Sequence, residues 1–509
     1  MSDSIVEGRS LGGDLELDTD VVIVGSGAGG AVVAAELAEA GQRVVLLEEG
    51  PHVPPERYGR MRPSENMREL WRDGGLTFAV GLGDTPVINV MMGQCVGGSS
   101  VLTGGVCFRI PGSVMREWEV EHGLTGLDEK SMEPVFEEIE RRIHVEEVPP
   151  EMRSLSTTRF LQGLDALGLR WQPLKRNTHG CNGCGRCNFG CPHGAKLSVD
   201  VTYLPRAFAA GAELYSDARV DAIVSKNGRA CGVVGRLLDG PRRKPRGKLS
   251  VRARRVVLAA GAYASPLLLE QSGIGRRSGQ VGRNLTVHPA FRVMARFADP
   301  VYGWKGALQS AYSDALEHER ITMTGLYIPP GAMAGTMPGI ARTHQLNAES
   351  IPKLAIFGGM IHDEGGGRIQ RVFGKPVMTY RMAPKDRAAV PVLMRRMADA
   401  FFAAGAEEVF LPVLGLGGVD RDRLGKVDLE HVPGRSLECG SQHPLGTCRM
   451  GVAPQNSVVD AWGQCWELPE LYVADGSILP TSLGVNPQLS IMSMALRIAW
   501  HLRERKLPS

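Results

Sequence analysis

Four cysteines crowd into eleven residues, Cys181, Cys184, Cys187 and Cys191, and Pro192 follows the last of them. This is the C-x2-C-x2-C-x3-C-P spacing with which bacterial ferredoxins hold iron–sulfur clusters. Thiolates at such intervals can wrap one face of a cluster, the interleaved glycines free backbone N–H groups to point at sulfide, and the proline ends the loop. In two-cluster ferredoxins the fourth cysteine serves the other cluster, and no second run occurs in this chain. Four readings therefore stay open: a [4Fe–4S] cluster on all four, a [3Fe–4S] cluster on three, a four-cysteine zinc site, or cysteines without metal.

A second constellation opens the chain. Asp20–Val24 (DVVIV) is followed by Gly25-Ser26-Gly27-Ala28-Gly29-Gly30 and then by AVVAAELAEAG. The run reads as buried parallel strand, tight turn and helix. Gly25 and Gly27 permit the turn and the approach of backbone to a pyrophosphate, which would sit on the helix N-terminus at Ala28, while Gly30 lets helix and strand pack closely. A second strand, Arg43–Leu47, ends at Glu48, eighteen residues past Gly30, where a carboxylate can accept both ribose hydroxyls. Glu48 would repel a 2′-phosphate, which disfavours NADP and leaves FAD and NAD.

These groups need a large scaffold, and the chain can supply one. Its 509 residues are 43% apolar and 22% charged, the balance of an ordinary globular protein rather than a disordered or coiled-coil one. Lys and Arg (58) nearly cancel Asp and Glu (55), and the one basic run, Pro241–Lys248, reads as a solvated loop between strands, so no nucleic-acid partner is expected. The 64 glycines far exceed the usual share of about 7%, so many backbone positions need positive φ or close approach. Met1–Asp20 has no apolar core of a signal peptide and no run of about 18 apolar residues occurs, which implies a cytoplasmic protein with no transmembrane segment. Ten cysteines are too sparse for a disulfide scaffold.

Five further blocks settle the choice of nucleotide: Gly93–Gly104 (GQCVGGSSVLTG), Ala259–Gly273, Val281–Pro289, His443–Gly451 (HPLGTCRMG) and Tyr472–Pro487 (YVADGSILPTSLGVNP). In sequence and order they resemble the glucose–methanol–choline oxidoreductases. That resemblance implies FAD and the oxidation of an alcohol by hydride transfer to the flavin. It also implies an α/β fold: a Rossmann-type FAD-binding domain (16–110, 197–287 and 440–509) with a discontinuous α+β substrate domain on an antiparallel sheet (111–196 and 288–439). Carried over residue by residue, it sets Gly97, Gly98, Ser99, Val101, Thr103 and Gly104 against the pyrophosphate and isoalloxazine, and Val220 against adenine. Ala260 and Gly261 end a second buried strand, Asp475 and Gly476 line ribitol and pyrophosphate, and Asn486, Pro487 and Gln488 lie near the pyrimidine edge. Val101 stands where some members tether the flavin through histidine, so the FAD is expected to be non-covalent. Thr103 stands where many have Asn.

An alcohol O–H is a poor acid, so departure of hydride from its carbon calls for a base and for a donor at the oxygen. The resemblance implies His443 as principal base and Asn486 as orienting donor. His288, in the Asn-Leu-x-x-His-Pro element, reads as an anchor of the domain junction, and Cys95, Cys107 and Cys448 as small buried hydrophobes. Some sugar-oxidising members carry an iron–sulfur cluster in a segment comparable to Cys181–Cys191. With iron, electrons would pass to an external acceptor, a protein or a quinone; without it, oxygen regains ground. An isomerase or lyase with a structural flavin is a further alternative, and a mere electron carrier would leave His443 and Asn486 idle. Met91, Met92, Met323, Met333 and Met360 either line an adaptable apolar pocket, favouring a bulky or hydrophobic alcohol, or pack in ordinary core. Leu354–Met360 and Val377–Met382 read as strands roofing the flavin, and Asp386–Ala404 as a helix.

Overall fold

The unbroken valines of the first apolar run are sheltered because strand Leu15–Val24 lies in the middle of a sheet. It pairs in parallel with Val44–Leu47 on one side and Pro245–Leu258 on the other, and a strand covered on both faces needs no polar alternation. The computed structural model describes residues 4–240 and 243–508. The sheet has eight strands: Ile5–Glu7, Glu213–Ser216, Val44–Leu47, Leu15–Val24 and Pro245–Leu258 run parallel, and Arg229–Leu238 and Ala218–Lys226 continue it antiparallel. Leu471–Val473 joins Pro245–Leu258 in parallel, which sets the C-terminal block beside the first turn.

Helix Ala28–Glu39 packs against that junction. A Cβ on Gly29 would lie 1.8 Å from the carbonyl oxygen of Ala474, and one on Gly30 2.0 Å from that of Gly25. Only hydrogen fits at either place. Helix Gln488–Glu504 lies along Ala28–Glu39 and closes this core.

The second sheet has twelve strands around Leu354–Ile361, which is buried along its whole length between Ala290–Arg296 and Ile321–Gly325. Helices Leu155–Ala166 and Pro384–Ala403 cover it. The sheet is not purely antiparallel: Lys375–Tyr380 runs parallel to Phe78–Gly81, and Cys439–Ser441 parallel to Ile88–Val90. The boundary drawn at residue 110 also fails to follow the sheets. Phe78–Gly81 and Ile88–Val90 join the second sheet because Ala79, Ile88 and Val90 bury in its core.

The predicted roof strands are Leu354–Ile361 and Lys375–Tyr380, and the predicted helix is Pro384–Ala403. The basic run is only partly a loop, since strand Pro245–Leu258 begins inside it; Pro241 and Arg242 lie outside the described residues. Among the described residues no helix is long and apolar enough to cross a membrane.

Candidate active site

Strand Leu15–Val24 delivers Gly25 to the edge of a cavity of about 580 Å³. Ser26 then ties two glycine segments together. Its N–H and hydroxyl donate to the Glu48 carboxylate (3.0 and 2.7 Å), and the same hydroxyl accepts the Gly97 N–H at 3.1 Å. Gly50 N–H gives Glu48 a third bond at 2.9 Å, yet burial still pushes this carboxyl above its ordinary value. The backbones at Gly27 and Gly98 nearly touch, so that a Cβ on Gly98 would lie 2.8 Å from the Gly27 Cα. Beside the first turn, Asp475 accepts from Gly261 N–H (2.9 Å), the Ser265 hydroxyl (2.6 Å) and Ser477 N–H (2.8 Å), and burial raises its pKa as well.

The cavity wall takes Gly25, Gly27, Ala28 and Glu48 from the first unit, Gly98 and Ser99 from the second, Val220, Ala260 and Gly261 from the middle, and Asp475, Gly476 and Pro487 from the end. Other expected residues stand behind it. Val101 is buried in a small apolar cluster with Tyr58, Leu70 and Trp71. The Thr103 hydroxyl donates to Gln488 Oε1 at 2.8 Å, and Gly104 backs onto Gln309, where a Cβ would come within 1.8 Å of Oε1. Sequence reasoning missed Arg72, Arg219 and Tyr263, which also line the cavity. Burial alone would raise Glu49, but the charges of Arg72, 3.1 Å away, and Arg219 hold it below its ordinary value. Isolated arginines carry no spacing signal, and only the tertiary fold collects them.

His443 lines the same cavity. Its N–H donates to Ser441 Oγ at 3.0 Å, and the Ser441 hydroxyl donates to the Val287 carbonyl. His443 Nε2 stands 3.2 Å from the side-chain nitrogen of Asn486, whose Oδ1 is buried with no hydrogen-bond partner. His443 Nδ1 stands 3.2 Å from Nδ1 of His288, and His288 Nε2 receives the N–H groups of Leu483 (3.0 Å) and Gly484 (3.1 Å). His288 is therefore more than a junction anchor, because it touches the expected catalytic imidazole. Burial lowers both rings, His443 well below the ordinary histidine value and His288 to about 3, so both are neutral at pH 7. Asp363 braces the pair from behind by accepting Val287 N–H, His288 N–H and the hydroxyls of Tyr380 and Ser482.

The four clustered cysteines line a second, much smaller cavity together with Arg176 and Lys196. Arg176, 1% exposed, donates to Cys187 Sγ (3.0 Å) and to the Gly104 carbonyl (2.7 Å). Lys196, 2% exposed, gives its ammonium protons to the carbonyls of Ser100, Val101, Thr103 and Cys187, and its backbone N–H to Cys191 Sγ. Yet among the described residues no group of three or more His, Cys, Asp or Glu side chains is placed to hold a metal ion. The loop runs from exposed Cys184 inward to buried Cys187 and Cys191.

Cys95, Cys107 and Cys448 are buried, and burial pushes their thiols up, as expected of inert small hydrophobes. The methionine pocket is not found. Met323, Met333 and Met360 lie in core, and of the five only Met92 reaches the large cavity.

Sequence profiles described as GMC oxidoreductase match residues 20–290 and 369–495. An uncharacterized GMC-type oxidoreductase of Mycobacterium tuberculosis is 38% identical over 481 residues, 94% of this chain and 75% of that one. A long-chain-alcohol oxidase of Arabidopsis thaliana is 28% identical over 99% of this chain and 70% of its own. A 2-methyl-1,2-propanediol dehydrogenase of Mycolicibacterium austroafricanum is 28% identical over 96% and 95%. Among solved structures, a formate oxidase variant from Aspergillus oryzae RIB40, described for its FAD modification, shares the fold with a TM-score of 0.74 at 16% identity, over 97% of this chain and 99% of that one.

Proposed function

The chain belongs to the GMC oxidoreductase family, and on that premise we propose that it binds FAD non-covalently and oxidises an alcohol, CH–OH to carbonyl, with loss of a hydride and a proton. The observation that carries this reading is that one cavity is lined by the glycine turn and Glu48 and also by His443. Its size lies within the range of about 300–1,000 Å³ typical of ligand sites, and Gly27 and Gly98 leave bare backbone where a Cβ would obstruct a pyrophosphate. Bound FAD supplies the two-electron acceptor for the departing hydride. Glu48 accepts from the ribose, the helix N-terminus at Ala28 faces the phosphates, and His443 with Asn486 holds the carbinol oxygen. The alcohol-oxidising names of two relatives support the substrate class, and the Arabidopsis likeness alone supports a long or hydrophobic alcohol, since of the five methionines only Met92 lines the cavity.

The test is anaerobic mixing of the FAD-loaded protein with primary alcohols of increasing chain length while flavin absorbance is followed. Bleaching is expected, and His443→Ala should slow it by about 10²–10⁴-fold while retaining FAD. A bound flavin that no alcohol bleaches would favour the isomerase or lyase alternative.

We further infer that the Cys181–Cys191 pocket receives an iron–sulfur cluster held by Cys181, Cys184, Cys187 and Cys191. The supporting observation is charge: Arg176 and Lys196 are buried beside the sulfurs and, among the described residues, neither forms an ion pair with a carboxylate. Buried cations need a counter-charge, which cluster-bound thiolates provide. Zinc fits less well, because one ion needs all four sulfurs at a single point, whereas each thiolate of a cluster reaches a different iron. A cluster supplies one-electron transfer toward an external acceptor. Anaerobically purified protein should contain about three to four irons per chain with matching sulfide; flavin without iron would remove the cluster and favour oxygen as acceptor.

A further inference from the structure

We propose that the outward face of the second sheet, around strand Phe78–Gly81, docks on an anionic lipid bilayer. The docking follows from exposed side chains and their charges, and it stands apart from the alcohol-oxidising reading.

Strand register decides which side chains face out. Ala79 pairs with Met378 on one side and with Ile88 on the other, and all three are buried in the core of this sheet. Side chains alternate along a strand, so Phe78, Val80, Val87, Val377 and Thr379 stand on the opposite face. A sheet with one solvated face ordinarily turns polar residues outward. Here Leu76, Phe78, Val80, Leu82 and Val87 are 38–65% exposed, all within one short stretch of chain. Phe373 adds a fully exposed ring at the turn before strand Lys375–Tyr380. That strand runs parallel to Phe78–Gly81 with Met378 beside Ala79, which brings the turn to the end of the sheet where Leu76 lies. Single exposed apolar residues are ordinary, but a continuous stripe of them marks a surface that something covers.

The charges beside the stripe select the occupant. Alternation with buried Ile369, Met378 and Tyr380 turns Arg368, Lys375 and Arg381 outward. All three are exposed, and among the described residues none of them forms an ion pair. The acids at the border are largely neutralised: Asp84 by Arg387 at 2.9 Å and Glu438 by Arg292 at 3.3 Å. Asp73 accepts the Thr77 hydroxyl at 3.4 Å. The face keeps a positive excess around an apolar centre. Such a surface matches an anionic leaflet, whose acyl boundary takes the apolar side chains while its phosphates meet Arg and Lys. A second copy fits less well, because a two-fold dimer sets this face against itself and brings like charges together.

Gly74, Arg371 and Pro376, from the same end of the sheet, line the large cavity. On the alcohol-oxidising reading, docking brings a lipid-dissolved alcohol beside that wall.

The test is flotation of the FAD-loaded protein with vesicles of phosphatidylcholine alone and of phosphatidylcholine mixed with phosphatidylglycerol. Binding to the mixed vesicles that weakens as salt is added is expected. Arg368→Glu with Lys375→Glu should weaken it by about 30-fold, and Leu76→Ser with Phe78→Ser by about tenfold. Phe373→Asn, at a turn whose φ of +50° suits asparagine, gives a further apolar variant outside the strands and should weaken it too. Val120→Ser, at the exposed end of helix Gly112–Val120, should change nothing. Every substituted side chain is exposed, so thermal unfolding and bound-flavin absorbance should match the parent protein, which separates lost docking from lost folding. Absence of binding to both vesicles overturns the proposal, and so does binding that the stripe and cation variants leave unchanged. A dimer seen by light scattering that Leu76→Ser with Phe78→Ser dissolves would assign the face to a second copy and overturn it as well. None of these readouts uses alcohol, so failure of the alcohol reading leaves them standing.

Discussion

Buried carboxylates show how far the neighbours of a residue decide its effect. Asp475 accepts from three donors on two segments and so ties those segments together at the cavity. Asp217 is also buried, but among the described residues its Oδ2 finds no hydrogen bond, and its ion pair is with Arg9 at 3.5 Å. Burial pushes the Asp217 carboxyl up to about 6 from 3.8. The folded chain then binds this proton more tightly than the unfolded chain, so the contribution of Asp217 to stability is fully present below about pH 3.8, is lost as pH rises to about 6, and is flat above. Asp217→Asn should stabilise the protein by about 1–2 kcal/mol at pH 7.5, after allowance for solvent screening and the lost Arg9 attraction, and by nothing at pH 4; urea titrations at the two pH values measure it. Its φ of +51° suits Asn as well as Asp. At this scale the sequence disclosed what residue type and local spacing demand, such as the bare glycines and the acid that ends the second strand. It did not disclose the contact of His288 with His443, which are 155 positions apart, nor that Asp363 accepts the His288 backbone N–H behind that contact.

Elements sit where small residues let them touch. The Gly29 site closes helix Ala28–Glu39 onto Ala474, and the Gly163 site closes helix Leu155–Ala166 onto Ala400, with a Cβ in either place reaching 1.8 Å from a carbonyl oxygen. The two alanine substitutions should therefore destabilise by similar amounts, about 1–3 kcal/mol or more, and differ in what else they lose. Gly29→Ala pushes the helix away from the cavity wall and should shed FAD. Gly163→Ala disturbs only the cover of the second sheet and should keep it. Bound-flavin absorbance beside thermal unfolding checks both, and equal FAD retention would refute the separation. The buried runs Asp20–Val24 and Leu354–Met360 were legible as strands because burial on both faces demands continuous apolar residues. Phe78–Gly81 and Ile88–Val90 were not, since strands of three or four residues carry too little pattern to declare which sheet they join.

Across the whole molecule, two sheets are built from interleaved segments, and the cavity lies where segments from the beginning, middle and end of the chain converge. This interleaving separates the two kinds of information. The sequence by itself determined the glycine turn, its terminal acid, the order of the family blocks and the four-cysteine spacing, because each depends on residues within one short segment or on a motif recognised whole. Only the tertiary structure decided that Thr103 meets Gln488, that Arg72 and Arg219 line the large cavity, that most of the methionines are core, and that Arg176 and Lys196 lie buried beside the cysteines. It also decided that the backbone amides of Leu483 and Gly484 reach a ring nitrogen of His288, nearly two hundred residues away in sequence. Such contacts are fixed by the packing of one sheet against another, and no local pattern of side chains encodes that packing.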